Sequence, residues 1–147
     1  MAESLLHKYY VNQILVFIND TITTDDHSFI TYADIDLFQG ATPELIGGSK
    51  PDVLAVNQDR ATVIIGEAKT AGDVENTHTM NQLLDYLKYL QKIKNGVLIL
   101  AVPWHMTGVM DSMVRKAKRM MQNIDLKYII MLDLPTELPL NAKITSR

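Results

Sequence analysis

The sequence predicts a single α/β domain in which helices flank both faces of a mixed sheet. Three observations point there. Two short runs rich in β-branched and aliphatic residues, Val53–Val56 and Thr62–Ile65, enclose the polar turn Asn57-Gln58-Asp59-Arg60 and read as an antiparallel hairpin. Beyond it, amphipathic segments with helical spacing alternate with apolar runs, the pattern of strand–helix–strand crossovers. The 147 residues, 47 % hydrophobic with seven glycines and five prolines, suffice for one hydrophobic core.

In chain order, Glu3 to Asn19 reads as a helix whose apolar face includes Leu5, Leu6, Tyr9, Ile14, Phe17 and Ile18. Ser4 is a candidate cap. Asp20 to His27 is polar and reads as a loop. Phe29 to Leu37 alternates, with Ile30, Tyr32, Asp34 and Asp36 on a largely polar side, and is expected to be a strand. Gln39 to Lys50, broken by Gly40, Pro43, Gly47 and Gly48, is a loop leading into the hairpin. After a second loop, Ala71 to Asn76, a helix is expected from Thr77 or His78 to Lys92, with Met80, Leu83, Leu84, Leu87, Leu90 and Ile93 as its buried stripe. Val97–Val102 reads as a buried strand. A further helix from Thr107 or Met110 to Gln122 and a strand at Tyr128–Leu132 complete the order helix, three strands, helix, strand, helix, strand.

Composition excludes several functions. The chain has no cysteine, so disulfides, zinc–thiolate sites and iron–sulfur clusters are ruled out. No apolar run approaches the roughly 20 residues that span a bilayer, and the N-terminus, with Glu3, His7 and Lys8, does not resemble a signal peptide. The expectation is a soluble, cytoplasmic protein with no membrane partner. A formal net charge of −3 argues against a general coater of nucleic acid but leaves a nuclease open, since a bound cation offsets clustered acids.

The chemistry is concentrated between Gly47 and Tyr86. If Gln58 to Ala61 form a four-residue loop, Asn57 pairs with Thr62, and every hairpin pair sums to 119. Asp52 then stands opposite Glu67 on the same face, with opposed Cα atoms about 4.5–5.5 Å apart. A two-residue Gln58-Asp59 loop would keep that face; a three-residue loop would separate the two acids. Lys69, two residues beyond Glu67, shares Glu67's side of the sheet. Carboxylate oxygens are hard ligands suited to Mg2+ or Mn2+, so one cation bridging Asp52 and Glu67, with the Ala68 carbonyl as a further ligand, would suit phosphodiester hydrolysis. Lys69 is placed to orient an attacking water and to stabilise developing charge. Gln82 and Tyr86 lie one turn apart on the following helix.

Pro51-Asp52 followed by Glu67-Ala68-Lys69 resembles the signature of the PD-(D/E)XK nuclease superfamily, and the predicted element order is similar to that superfamily's restriction-endonuclease-like α-β-β-β-α-β core. The resemblance covers roughly residues 1 to 102 in layout. It implies a Mg2+- or Mn2+-dependent deoxyribonuclease in which Asp52 and Glu67 bind metal and Lys69 assists water. Gln82-x-x-x-Tyr86 resembles the QxxxY element of the RecB-like branch, which implies that these side chains help organise the site and contact DNA, with Tyr86 a candidate DNA-binding residue unless it simply packs with the helix stripe. That branch often carries a metal-binding histidine on the first helix, for which His7 is the candidate. Archaeal junction resolvases use a glutamate there, matching Glu3, and the VRR-NUC branch shares a glycine before the Pro-Asp pair and a glutamine on the next helix.

Arg115, Lys116, Lys118 and Arg119 form the clearest basic cluster. They read as the solvated face of a helix or as contacts to a DNA backbone. Trp104-His105 reads as a loop aromatic pair that closes the core or stacks on a base. A domain of this size is expected to recognise DNA structure or ends, or to take its specificity from a protein partner. Cutting both strands needs two sites, so a homodimer is the expected assembly. The competing expectation is a non-catalytic DNA-binding or complex-assembly module on the same scaffold.

Overall fold

The computed structural model describes residues 5–22, 28–34, 42–133 and 144–146. One six-stranded sheet runs in sequential order: β1 (Ile30–Ala33), β2 (Val53–Val56), β3 (Thr62–Ala68), β4 (Asn95–Pro103), β5 (Lys127–Asp133) and β6 (Ile144–Ser146). β1, β2 and β3 pair antiparallel; β3, β4 and β5 are parallel; β6 returns antiparallel to β5. The chain is therefore α/β with a mixed sheet flanked by helices.

The hairpin turn explains its own register. Asn57 donates its backbone N–H to the Thr62 carbonyl and accepts from the Thr62 N–H through its side chain, both within 3.2 Å. Arg60 takes the left-handed conformation (φ 57°) that closes the four-residue loop. The ladder then pairs Val53 with Gly66 and Leu54 with Ile65, a sum of 119 throughout. A strand period of two sends Leu54, Val56, Val63 and Ile65 to one face and Val53, Ala55 and Ile64 to the other.

Both crossovers advance the sheet in the same direction, so a common hand puts both connecting helices on one face. α3 (Thr77–Leu90) buries Leu83, Tyr86, Leu87 and Leu90 there, and α4 (Thr107–Met120) buries Met110, Met113, Val114 and Ala117 beside it. Asn76 caps α3, its side chain accepting from the Thr79 N–H at 2.8 Å. α1 (Leu5–Phe17) covers the opposite face with Tyr10, Val11 and Ile14 and continues into a wider turn at Ile18–Ile22. Its close approach needs Gly66, where a Cβ would lie 2.7 Å from Ile14 Cγ2.

Several details depart from the sequence reading. β3 runs on to Ala68, and a one-turn helix, α2 (Ala71–Val74), stands where a plain loop was expected. The expected polar side of β1 is mixed, because Tyr32 packs against the cluster under α3 and α4. Asp34 pairs with Lys50 at 3.5 Å, while Glu3, Ser4 and Asp36 lie outside the described residues. β6 had no counterpart in the sequence pattern. Among the described residues no helix is long and apolar enough to cross a membrane.

Candidate metal centre

Asp52 (7 % exposed), Glu67 (4 %) and Lys69 (9 %) are gathered and buried at the end of the hairpin, and Gln82 (8 %), one helical turn before Tyr86, is buried as well. Buried charge is costly unless paired, so their assembly demands a physical reason. Extending the ladder by one step beyond Val53–Gly66 sets Asp52 opposite Glu67. That places the two carboxyl groups near enough for the charge of Asp52 to act on Glu67.

Each carboxylate is held by different partners. Asp52 Oδ2 accepts from the Ala68 N–H at 2.8 Å and lies 3.2 Å from His7 Nε2, so the first helix meets the hairpin here. Glu67 Oε1 accepts from the Tyr86 hydroxyl at 2.7 Å, and Oε2 lies 3.5 Å from Lys69 Nζ. Burial pushes the Glu67 carboxyl well above its ordinary value and the neighbouring Asp52 charge pushes it further; Lys69 and the Tyr86 hydrogen bond oppose both. The Tyr86 hydroxyl is itself pushed upward, chiefly by burial and then by Glu67, so it stays protonated as a donor.

Gln82 supplies the clearest sign of a missing partner. Its Oε1 is buried and has no hydrogen-bond partner, an arrangement that ordinarily marks an absent water or ion. Among the described residues no three His, Asp or Glu side chains form a ready-made cation cage. The donor set is instead two carboxylates and a strand-end backbone. That suits Mg2+, which commonly takes one or two carboxylates and keeps several waters.

The loop before β2 is fixed by a contact that sequence reasoning missed. Gly47 and Gly48, at φ 59° and 93°, form a two-residue turn closed by reciprocal bonds between Ile46 and Ser49. Ser49 Oγ donates to Asp85 Oδ2 at 2.5 Å, tying that turn to α3 one residue before Tyr86. The paired glycines signalled the turn; nothing local signalled its partner 36 residues away.

One expectation needs correction. Tyr86 is fully buried with its hydroxyl on Glu67, so it orients a carboxylate from within and offers no surface to DNA. The basic cluster, read as a solvated helix face or a DNA-backbone contact, lies apart from the carboxylates. Lys118 donates to the Leu126 carbonyl and sits 5.3 Å from the centre of the Tyr128 ring, near the start of β5. Arg115 pairs with Asp111 at 2.9 Å, and Lys116 and Arg119 are exposed. β5 begins opposite Val97, three residues before the Leu100 that pairs with Glu67, which puts the cluster toward the other end of the parallel strands. Glu3 cannot be placed because it lies outside the described residues. Comparison of the chain with family models, with curated proteins and with solved structures gave no match.

Proposed function

We propose that this protein is a divalent-metal-dependent deoxyribonuclease with a restriction-endonuclease-like core. The observation that carries the reading is the buried Asp52–Glu67 pair flanked by Lys69, with a buried, unpartnered Gln82 Oε1 one helical turn before the Tyr86 that bonds Glu67. Two adjacent carboxylates repel, and a Mg2+ or Mn2+ ion between them offsets that repulsion. The order α1, β1, β2, β3, α3, β4 supports the core assignment.

Asp52 and Glu67 would hold the ion, with the Ala68 carbonyl as a third oxygen and His7 at the outer side of Asp52. When bound, the ion would polarise the phosphate and lower the pKa of water. Tyr86 keeps Glu67 aimed by donating to Oε1, while Oε2 faces Lys69 Nζ at 3.5 Å and is the oxygen that would turn to the ion. Lys69, held beside Glu67, provides a positive N–H donor to orient the incoming water and to face charge building on the phosphate oxygens. Gln82 Oε1 accepts from that water, which satisfies the buried oxygen. Hydrolysis adds water across one P–O bond and yields a phosphate monoester and an alcohol.

The test is cleavage of linear, circular, single-stranded and four-way-junction DNA in Mg2+, Mn2+ or EDTA, with wild type and Lys69→Ala side by side. Metal-dependent cutting by wild type alone supports the reading. Cutting of circles or junctions would mark an endonuclease, and cutting of ends alone an exonuclease. Folded wild type that cuts none of these DNAs would sink the catalytic reading and favour a binding or assembly module.

A further inference from the structure

The β2–β3 ladder reaches a position where its hydrogen bonding has to change. Asn57 and Thr62 form a hydrogen-bonded pair, so the same type recurs at Ala55–Ile64, at Val53–Gly66 and, one step on, at residues 51 and 68. The other edge agrees. Lys69 donates its N–H to Ala101 of β4, so odd-numbered residues of β3 face β4 and even-numbered ones face β2. The Ala68 carbonyl therefore faces residue 51, which would normally return an N–H to it. Residue 51 is proline and has none.

The second bond of that pair is diverted as well. The Ala68 N–H donates to the Asp52 carboxylate at 2.8 Å, in place of the residue 51 carbonyl that the ladder would offer. The Asp52 backbone is turned the other way, its carbonyl accepting from Asp34 of the β1 edge at 2.8 Å. The Ala68 carbonyl thus sits on a residue that is 1 % exposed, beside two carboxylates, with no ladder donor. Buried backbone carbonyls are almost always paired, so an oxygen denied its strand donor takes a partner elsewhere.

We infer that Pro51 is a positioning residue: by lacking an N–H it keeps the Ala68 carbonyl out of the sheet and available to the cation held by Asp52 and Glu67. The inference rests on the cation-site reading above. A bland role for Pro51, stiffening the entry to β2, makes a different prediction, because a residue with an N–H would then alter stability alone. With an N–H at position 51, the strand bond to Ala68 forms in the metal-free protein and has to break before the oxygen can reach an ion. One ladder bond corresponds to about a three- to tenfold loss of affinity.

The experiment compares Mn2+ binding by wild type, Pro51→Ala and Pro51→Val, read as loss of the free-ion electron paramagnetic resonance signal. Thermal unfolding in EDTA confirms the fold of each, and valine serves should alanine loosen the strand. Both variants are expected to bind Mn2+ three- to tenfold more weakly, and the new amide at position 51 to exchange slowly with solvent in EDTA. Affinities within twofold of wild type in a folded variant would overturn the role of Pro51 and leave the cation site standing. Folded wild type that binds no Mn2+ would remove the site itself and this inference with it.

Discussion

Glu67→Gln exchanges one carboxylate oxygen for an amide nitrogen, hardly changes side-chain volume, and keeps an oxygen to accept from Tyr86. What it removes is a charge buried beside Asp52. In wild type that charge is opposed first by burial and then by Asp52, so folded Glu67 holds its proton to a pH well above the ordinary carboxylate range. The linkage sign follows. Where the folded state binds the proton more tightly than the unfolded chain, stability is greatest below the unfolded pKa and falls as pH rises toward the folded one. Metal-free wild type should therefore lose stability as pH climbs past the unfolded glutamate value of about 4.3, and Glu67→Gln should not share that loss. At neutral pH the variant should be more stable by about 1–2 kcal/mol, the usual gain from relieving one unfavourable group. For a domain of this size that raises Tm by about 3–8 °C. The assay is thermal unfolding in EDTA between pH 4 and pH 8, repeated with added Mn2+. Wild type should gain stability with Mn2+ by mass action and the variant should not. A variant less stable than wild type at pH 7 in EDTA would refute the claim that Glu67 is held in electrostatic conflict.

Two other substitutions probe the frame around that conflict. Tyr86→Phe keeps the buried ring and deletes the donor to Glu67, which should cost about 1–2 kcal/mol; it should also shift half-saturation with Mn2+ to higher pH, as a pH titration of metal binding would read. Gly66→Ala drives a methyl to 2.7 Å from Ile14 Cγ2 and 3.1 Å from Val53 Cβ; overpacking between α1 and the hairpin should cost about 1–3 kcal/mol in urea unfolding.

The hairpin register was readable because strand geometry has a period of two and one turn fixes the parity of every later pair. Asn57 and Thr62 close the loop, and Asp52, Glu67 and Lys69 follow from counting. Helix α3 was readable for a similar reason, since Leu83, Leu87 and Leu90 mark one face and Asn76 caps its start. Contacts between elements were not. The Ser49–Asp85 bond and the meeting of His7 with Asp52 depend on how helices seat on the sheet, which no local pattern encodes. Only a resemblance pointed to His7, and its position 3.2 Å from Asp52 is set by packing. The basic run was readable as a helix face, and Arg115, Lys116 and Arg119 are exposed; its local partners, Asp111 one helical turn before Arg115 and the Tyr128 ring under Lys118, were not.

Neighbouring residues on α3 explain how a strained pair can be held with little freedom. Successive helical side chains point about 100° apart. Asp85 therefore reaches sideways to Ser49, in the turn that feeds Asp52, while Tyr86 points inward to Glu67. One helix thus touches the turn that leads into Asp52 and the strand that carries Glu67, independently of the hairpin joining them. Gly47 makes the first contact possible, since a Cβ there would meet Asp85 Oδ1 at 3.0 Å and φ is already 59°. With the hairpin and α3 both setting the Asp52–Glu67 spacing, the two acids cannot relieve their repulsion by moving apart. The remaining responses are to take up a proton or to take up a cation. On the reading proposed above, the first would dominate as pH falls and the second where a divalent ion is present, so the restraint that costs stability without an ion would favour binding one.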